Sequence, residues 1–134
     1  MVYEYCEGGS LKNRLQNNEL FSENEAIKVG YQIAQAILYL EHEHLIHRDV
    51  KPENILIKNG KYKLADFGFC TNASKNDNGL IGSPLYMAPE SLGNYTYTIK
   101  NDVYGLGVTL FELVTRKVPF FDHDLRKLYK MKMN

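Results

Sequence analysis

Neither sign of charge is in excess: sixteen Lys and Arg stand against sixteen Asp and Glu in 134 residues. A nucleic-acid module would show a basic excess or a basic face, so this balance argues against one. Cysteine is scarce. Cys6 and Cys70 lie far apart and outside any framework spacing, so no disulfide scaffold is implied and a reducing, intracellular compartment is expected. Long apolar runs are missing too. The nearest approach, Val103 to Val114, is broken by Gly, Thr and Glu112 and falls short of a membrane span. The opening MVYEYCEGG has no basic stretch leading into an apolar one, so no secretory leader is expected. The expectation is a soluble, cytoplasmic protein. What remains is ordinary: 44% hydrophobic and 24% charged residues match a globular chain, and the length allows one domain with its own core.

Periodicity divides the chain into short elements. Val2 to Cys6 has the texture of a strand ended by Gly8-Gly9, and Ser10 offers an N-cap for a helix from Leu11 to about Gln16. Ser22 followed by Glu25 is a capping box, with Phe21 as the outer residue of a hydrophobic staple. Ala26, Ile27, Gly30, Ile33, Ala34, Ile37 and Leu38 recur at three and four, which predicts a helix to about Glu41 with one core-packed face. Ile55-Leu56-Ile57 and Lys61 to Ala65 flank Lys58-Asn59-Gly60, a hairpin signal. Residues 71–83 carry no periodicity and are rich in Asn, Gly and Ser, the mark of a functional or disordered loop. Asn101 to Arg116 reads as a helix apolar on most faces, hence buried, and Pro119 stops it. The tail DHDLRKLYKMKMN reads as an amphipathic helix with a solvated lysine face. The fold class is therefore mainly α with a small β-hairpin.

Three clusters follow one another in a fixed order: His47-Arg48-Asp49-Val50-Lys51-Pro52-Glu53-Asn54, then Asp66-Phe67-Gly68 directly after an expected strand, then Ala88-Pro89-Glu90 closing the long loop. Each alone is a weak signal, and a plain polar surface turn would explain it. Together, in these contexts, they are specific. The chain resembles the catalytic domain of eukaryotic protein kinases over essentially its whole length. The string Lys51 to Asn54, with Ser83 in Gly82-Ser83-Pro84, resembles the serine/threonine branch. Within that branch, DFGFC and GSPLYMAPE are similar to the autophagy-initiating kinases.

The chemistry can be stated residue by residue. Phosphoryl transfer needs charge neutralised on the phosphates and an acceptor hydroxyl held in line. Asp49, in a turn after an apolar helix, can meet the acceptor hydroxyl as base or orienter, and Lys51 can place a positive charge near the transferring group. Asn54 and Asp66, at the ends of the hairpin strands, can converge on a hard cation such as Mg²⁺. The resemblance implies ATP as phosphoryl donor and Ser/Thr hydroxyls of a protein substrate as acceptors. It further implies adenine contacts from the backbone of Glu4 and Cys6, with Tyr3 behind the pocket, Leu56 beneath the ring and Ser10 near the ribose. His47 is expected to stack with Phe67, and Arg48 to be the kind of residue that pairs with a phosphorylated loop. Ser83 would bridge Lys51 and Asp49.

The departures matter as much. A Gly-rich phosphate loop, a strand lysine and its helix glutamate are not found, and all would precede Met1. The expected domain is thus a partial one over residues 1–134: a large C-terminal lobe, incomplete, with its small lobe missing and little or no activity alone. Glu90 is expected to be buried without its usual arginine. Gly79 and Thr71 weaken the pattern of a phosphorylation switch. Two other readings compete, a non-catalytic kinase-like scaffold and a small-molecule phosphotransferase. Intact Asp49, Lys51, Asn54 and Asp66 argue against the first, and the Ala88-Pro89-Glu90 anchor argues against the second.

Overall fold

The serines at positions 10 and 22 set where the first two helices begin. The computed structural model describes residues 3–75 and 79–134. Helix α1 (Leu11–Gln16) opens on Ser10, whose hydroxyl accepts the Asn13 N–H while the Asn13 side chain returns to the Ser10 N–H. Helix α2 (Glu23–His42) opens on the same reciprocal box between Ser22 and Glu25. Such caps satisfy donors that the helix itself leaves orphaned, and each contributes about 1 kcal/mol. Phe21 is buried just outside the second cap, with the Arg14 guanidinium 4.4 Å from its ring centroid.

The buried face of α2 is Ala26, Val29, Ile33, Ile37 and Leu40. It is rotated from the face that spacing alone selects: Ile27 and Leu38 are 62% and 64% exposed. The reason lies in α4 (Ile99–Thr115), which packs along α2 and lets Val29 and Leu40 rather than Ile27 and Leu38 meet the core. Helix α4 is itself buried on one side only, since Val103, Phe111 and Val114 stand 44–56% exposed. It ends with Arg116 in the left-handed region at φ 63°, before Pro119 is reached.

Strands β2 (Ile55–Lys58) and β3 (Lys61–Leu64) form the hairpin, with Lys58 opposite Lys61. The two-residue turn is Asn59-Gly60, both at positive φ, as a tight hairpin of matching twist requires. A second antiparallel pair joins β1 (Leu45–Ile46) to β4 (Thr71–Asn72), so the first two residues of the expected long loop are strand. Residues 76–78 of that loop, and Val2 of the expected opening strand, lie outside the described residues. Tyr3 to Cys6 are not a strand. Pairing with β2 begins only at Gly8, whose N–H reaches the Ile57 carbonyl at 3.0 Å, and at the Ser10–Leu56 bridge.

A smaller core joins α3 (Pro89–Asn94) to α5 (Leu125–Met133) through Met87, Leu92 and fully buried Leu128. The lysine face of α5 is solvated at Lys127 and Lys130, but Lys132 turns inward. Glu90, in the first turn of α3, is exposed, so no buried unpaired carboxylate strains that end.

Candidate active site

The segment between β1 and β2 is built from both sides. From below, the fully buried Asp102 of α4 accepts the backbone N–H groups of His47 and Arg48, each at 2.8 Å. Arg48 stands at φ 69°, a conformation an L-residue adopts reluctantly, and these two bonds hold it there. Burial pushes the Asp102 carboxyl above its ordinary pKa, and the two N–H groups pull it back toward the charged form. Gly105 lets α4 approach, since a Cβ there would lie 2.8 Å from the Val50 carbonyl oxygen. From the other side, Gly82 sits at φ 107° with its missing Cβ 2.3 Å from the Arg48 carbonyl oxygen.

This frame brings Asp49, Lys51, Asn54 and Ser83 together. The Ser83 hydroxyl donates to Asp49 Oδ1 at 2.9 Å and accepts from Lys51 Nζ at 2.6 Å. Lys51 Nζ also lies 3.3 Å from Asp49 Oδ2. Asn54 Nδ2 donates to Asp49 Oδ2 at 3.1 Å and to the Asp49 carbonyl at 2.9 Å. With its NH₂ turned to Asp49, Asn54 has its carbonyl oxygen as the remaining donor for a cation.

Asp66 joins this group through the backbone: the Ala65 N–H donates to the Asn54 carbonyl at 2.8 Å. His47 reinforces the link. Its Nδ1 accepts the Asp49 N–H at 3.2 Å, which leaves the proton on Nε2 to donate to the Ala65 carbonyl at 2.8 Å. The buried imidazole meets the Phe67 ring edge-on, with centroids 5.1 Å apart. Asp66 is exposed at φ 58°, and its Oδ1 accepts the Gly68 N–H.

Among the described residues no cluster of three or more His, Cys, Asp or Glu side chains could hold an ion. Asp66 offers its carboxylate and Asn54 its side-chain carbonyl, the two segments being joined by the Ala65–Asn54 backbone bond. That fits Mg²⁺, which takes one or two protein oxygens and completes its shell with phosphates and water.

Of the residues expected around the nucleotide base, Leu56 lies on β2 and Ser10 pairs with it, whereas Tyr3, Glu4 and Cys6 precede that pairing. Leu56 is half-buried and bridged to Ser10. The Ser10 hydroxyl is buried and engaged in the α1 cap. The Cys6 carbonyl accepts the Gly9 N–H at 3.3 Å. The Glu4 carboxylate pairs with Lys63 at 2.9 Å and Lys58 at 3.0 Å, and these partners hold its pKa below the ordinary value. Tyr3 is 79% exposed.

Several supports were not read from the sequence. Besides Asp102, α4 supplies Asn101, whose Oδ1 accepts the Ala88 N–H at 3.0 Å, and Glu112, which accepts the Tyr86 hydroxyl at 2.5 Å and Lys12 at 3.2 Å. Burial and Glu112 push the Tyr86 phenol upward. The signal available was charge inside a helix expected to be buried. Arg48 and Tyr97 form another support: the guanidinium lies 5.5 Å from the Tyr97 ring centroid and its Nε donates to the Phe69 carbonyl. The Tyr97 hydroxyl in turn accepts the Ile81 N–H and donates to the Gly79 carbonyl.

A family model of the protein kinase domain matches residues 1–134. The chain belongs to the protein kinase family. It is similar to cell division control protein 7 of Schizosaccharomyces pombe, 39% identical over 92% of this chain and 12% of that protein. It is also similar to serine/threonine-protein kinase PrkC of Bacillus subtilis, 39% identical over 90% of this chain and 19% of that protein. Serine/threonine-protein kinase ppk11 of Schizosaccharomyces pombe is 40% identical over 90% of this chain and 40% of that protein. This kinase chain therefore spans well under half the length of these relatives. Among its described residues no helix is long and apolar enough to cross a membrane.

Proposed function

We propose that the chain is the large, C-terminal lobe of a serine/threonine protein kinase domain, partial over residues 1–134, and that it contributes the phosphoryl-transfer site of a cytoplasmic enzyme. One observation carries the reading: the Ser83 hydroxyl is bonded at once to Asp49 and to Lys51. A non-catalytic scaffold has no use for a carboxylate and an ammonium held against each other beside a hydroxyl.

Asp49 orients a Ser or Thr hydroxyl of a protein substrate and takes its proton as the oxygen attacks. The bond from that oxygen to the γ-phosphorus of ATP forms while the bond to the β-phosphate bridging oxygen breaks, releasing ADP. Lys51, fixed by Ser83 and Asp49, faces the charge on the transferring group, and its worth is electrostatic because it is already in place. Asn54 and Asp66 would hold Mg²⁺, which when bound neutralises phosphate charge. His47 keeps the segment of Asp66 in register with that of Asp49. Glu4 and Cys6 supply backbone contacts to the base, Leu56 packs beneath it, and Ser10 stands on the ribose side.

The test uses the native protein that carries this chain, incubated with ATP, Mg²⁺ and dephosphorylated casein. Phosphate appearing on Ser and Thr, and ceasing with a chelator, is expected. Phosphate on Tyr alone would contradict the serine/threonine reading.

A further inference from the structure

Lys132 lies in the last turn of α5 and points away from the solvated lysine face. Its Nζ donates to the carbonyls of Pro84 at 2.8 Å, Leu85 at 3.0 Å and Met87 at 2.6 Å. Three donors meet three acceptors, so the ammonium is saturated. Its charge also lies 5.2 Å from the centroid of the Tyr104 ring on α4. Among the described residues no carboxylate pairs with it. A half-buried ammonium without a counter-ion is unfavourable unless it is hydrogen-bonded, and here backbone carbonyls do this. Burial pulls its pKa down to about 8, while the carbonyl oxygens favour the charged form at neutral pH.

The segment it grips is the one that leaves the catalytic cluster. Ser83 is bonded to Asp49 and Lys51, and Pro84–Tyr86 forms a single 3₁₀ turn immediately after it. The turn therefore adjoins the place where Asp49 would meet an acceptor hydroxyl. Within the turn the Tyr86 N–H reaches the Ser83 carbonyl at 3.0 Å and the Met87 N–H the Pro84 carbonyl at 3.4 Å, and Lys132 adds the tertiary hold. Leu85 and Met87 pack in the same small core as Leu128, so α5 grips the turn through both apolar and polar contacts.

We propose that Lys132 is a positioning residue for the protein substrate, acting through the backbone of Pro84–Met87. The proposal rests on the kinase reading above. It does not place Lys132 in contact with ATP or with the acceptor hydroxyl.

The experiment compares the native protein with Lys132→Met and Lys132→Arg at pH 7, measuring KM for dephosphorylated casein and for ATP separately. Lys132→Met is expected to raise KM for casein about tenfold, the order that a small misplacement of the substrate produces, with KM for ATP within a factor of about two. Lys132→Arg keeps charge and donors and should recover most of the loss. An unchanged KM for casein in Lys132→Met would overturn the proposal. So would a parallel rise in both KM values, the mark of general loosening. Should Lys132→Met fail to fold, Lys132→Gln, which keeps polar donors on a shorter, uncharged stem, decides in its place. A several-fold shift confined to the casein KM supports the proposal, and none, or one shared with ATP, overturns it. A wild type with no transfer overturns the kinase reading and this inference with it, whereas a competent wild type indifferent to Lys132 overturns the inference alone.

Discussion

The Asp102 carboxylate accepts the backbone N–H of Arg48 at 2.8 Å across 54 residues of sequence. Its other oxygen takes the N–H of His47 at the same distance. The residue pair just before Asp49 is thus fixed by α4 and not by its own neighbours in the chain. Asp102→Ala removes both acceptors and leaves two buried N–H groups without partners, each worth about 1–3 kcal/mol. The expected outcome is a loss of several kcal/mol in denaturant unfolding, with Asp102→Asn losing less because one acceptor oxygen remains. Equal stability of Asp102→Ala and the wild type would contradict this account of the loop.

Gly82 and Gly60 both stand at positive φ, 107° and 69°, but in different surroundings. A Cβ on Gly60 meets nothing within 4 Å, whereas one on Gly82 would lie 2.3 Å from the Arg48 carbonyl oxygen. Gly60→Ala should therefore lose only about 1–2 kcal/mol from the left-handed backbone. Gly82→Ala must also displace the loop from Arg48, and should lower both the melting temperature and activity well beyond Gly60→Ala. Comparable melting temperatures for the two variants would refute the close approach.

Ser83→Ala removes the hydroxyl between Lys51 and Asp49, while Ser83→Thr keeps one of the same kind. Activity should fall by about one to two orders of magnitude in the first and survive in the second, with neither unfolding. A fully active Ser83→Ala would show that the bridge has no part in transfer.

The pKa of Lys132 is lowered by burial to about 8 from an ordinary 10.5. Between these values the unfolded chain binds more protons than the folded one, so this group's contribution to stability rises with pH. The desolvation penalty is fully present below about pH 8 and is relieved as pH climbs toward 10.5. Denaturant unfolding at pH 7.5, 8.5 and 9.5 should show the wild type gaining on Lys132→Met as pH rises. A constant difference between the two would contradict the shift.

What could be read in the sequence was local. The Ser10 and Ser22 caps and the Asn59-Gly60 turn depend on residues within four positions, and the structure has them where the spacing puts them. The meeting of Asp49, Lys51 and Ser83 was legible because ordered motifs stand in for distance. The rest depends on partners remote in sequence. Ile27 and Val29 are both apolar, and the approach of α4, β3 and β1 decides that Val29 is buried. Asp102 and Glu112 interrupt an apolar helix, but the groups they receive lie tens of residues away. Lys132 looks like its solvated neighbours Lys127 and Lys130 until the carbonyls of Pro84–Met87 are brought against it. Tyr3 to Cys6 have strand-like composition, and backbone pairing with β2 starts only at Gly8.

The central claim is that Asp49 serves phosphoryl transfer to a hydroxyl, and one comparison tests it most directly. The rate of γ-phosphate transfer from labelled ATP to dephosphorylated casein is measured with Mg²⁺ for the native protein and its Asp49→Asn variant. Removing a positioned base typically lowers rates by about 10²–10⁴-fold, and a fall of that order is expected with ATP affinity and melting temperature retained. A folded Asp49→Asn protein within about threefold of the wild-type rate would contradict the assignment.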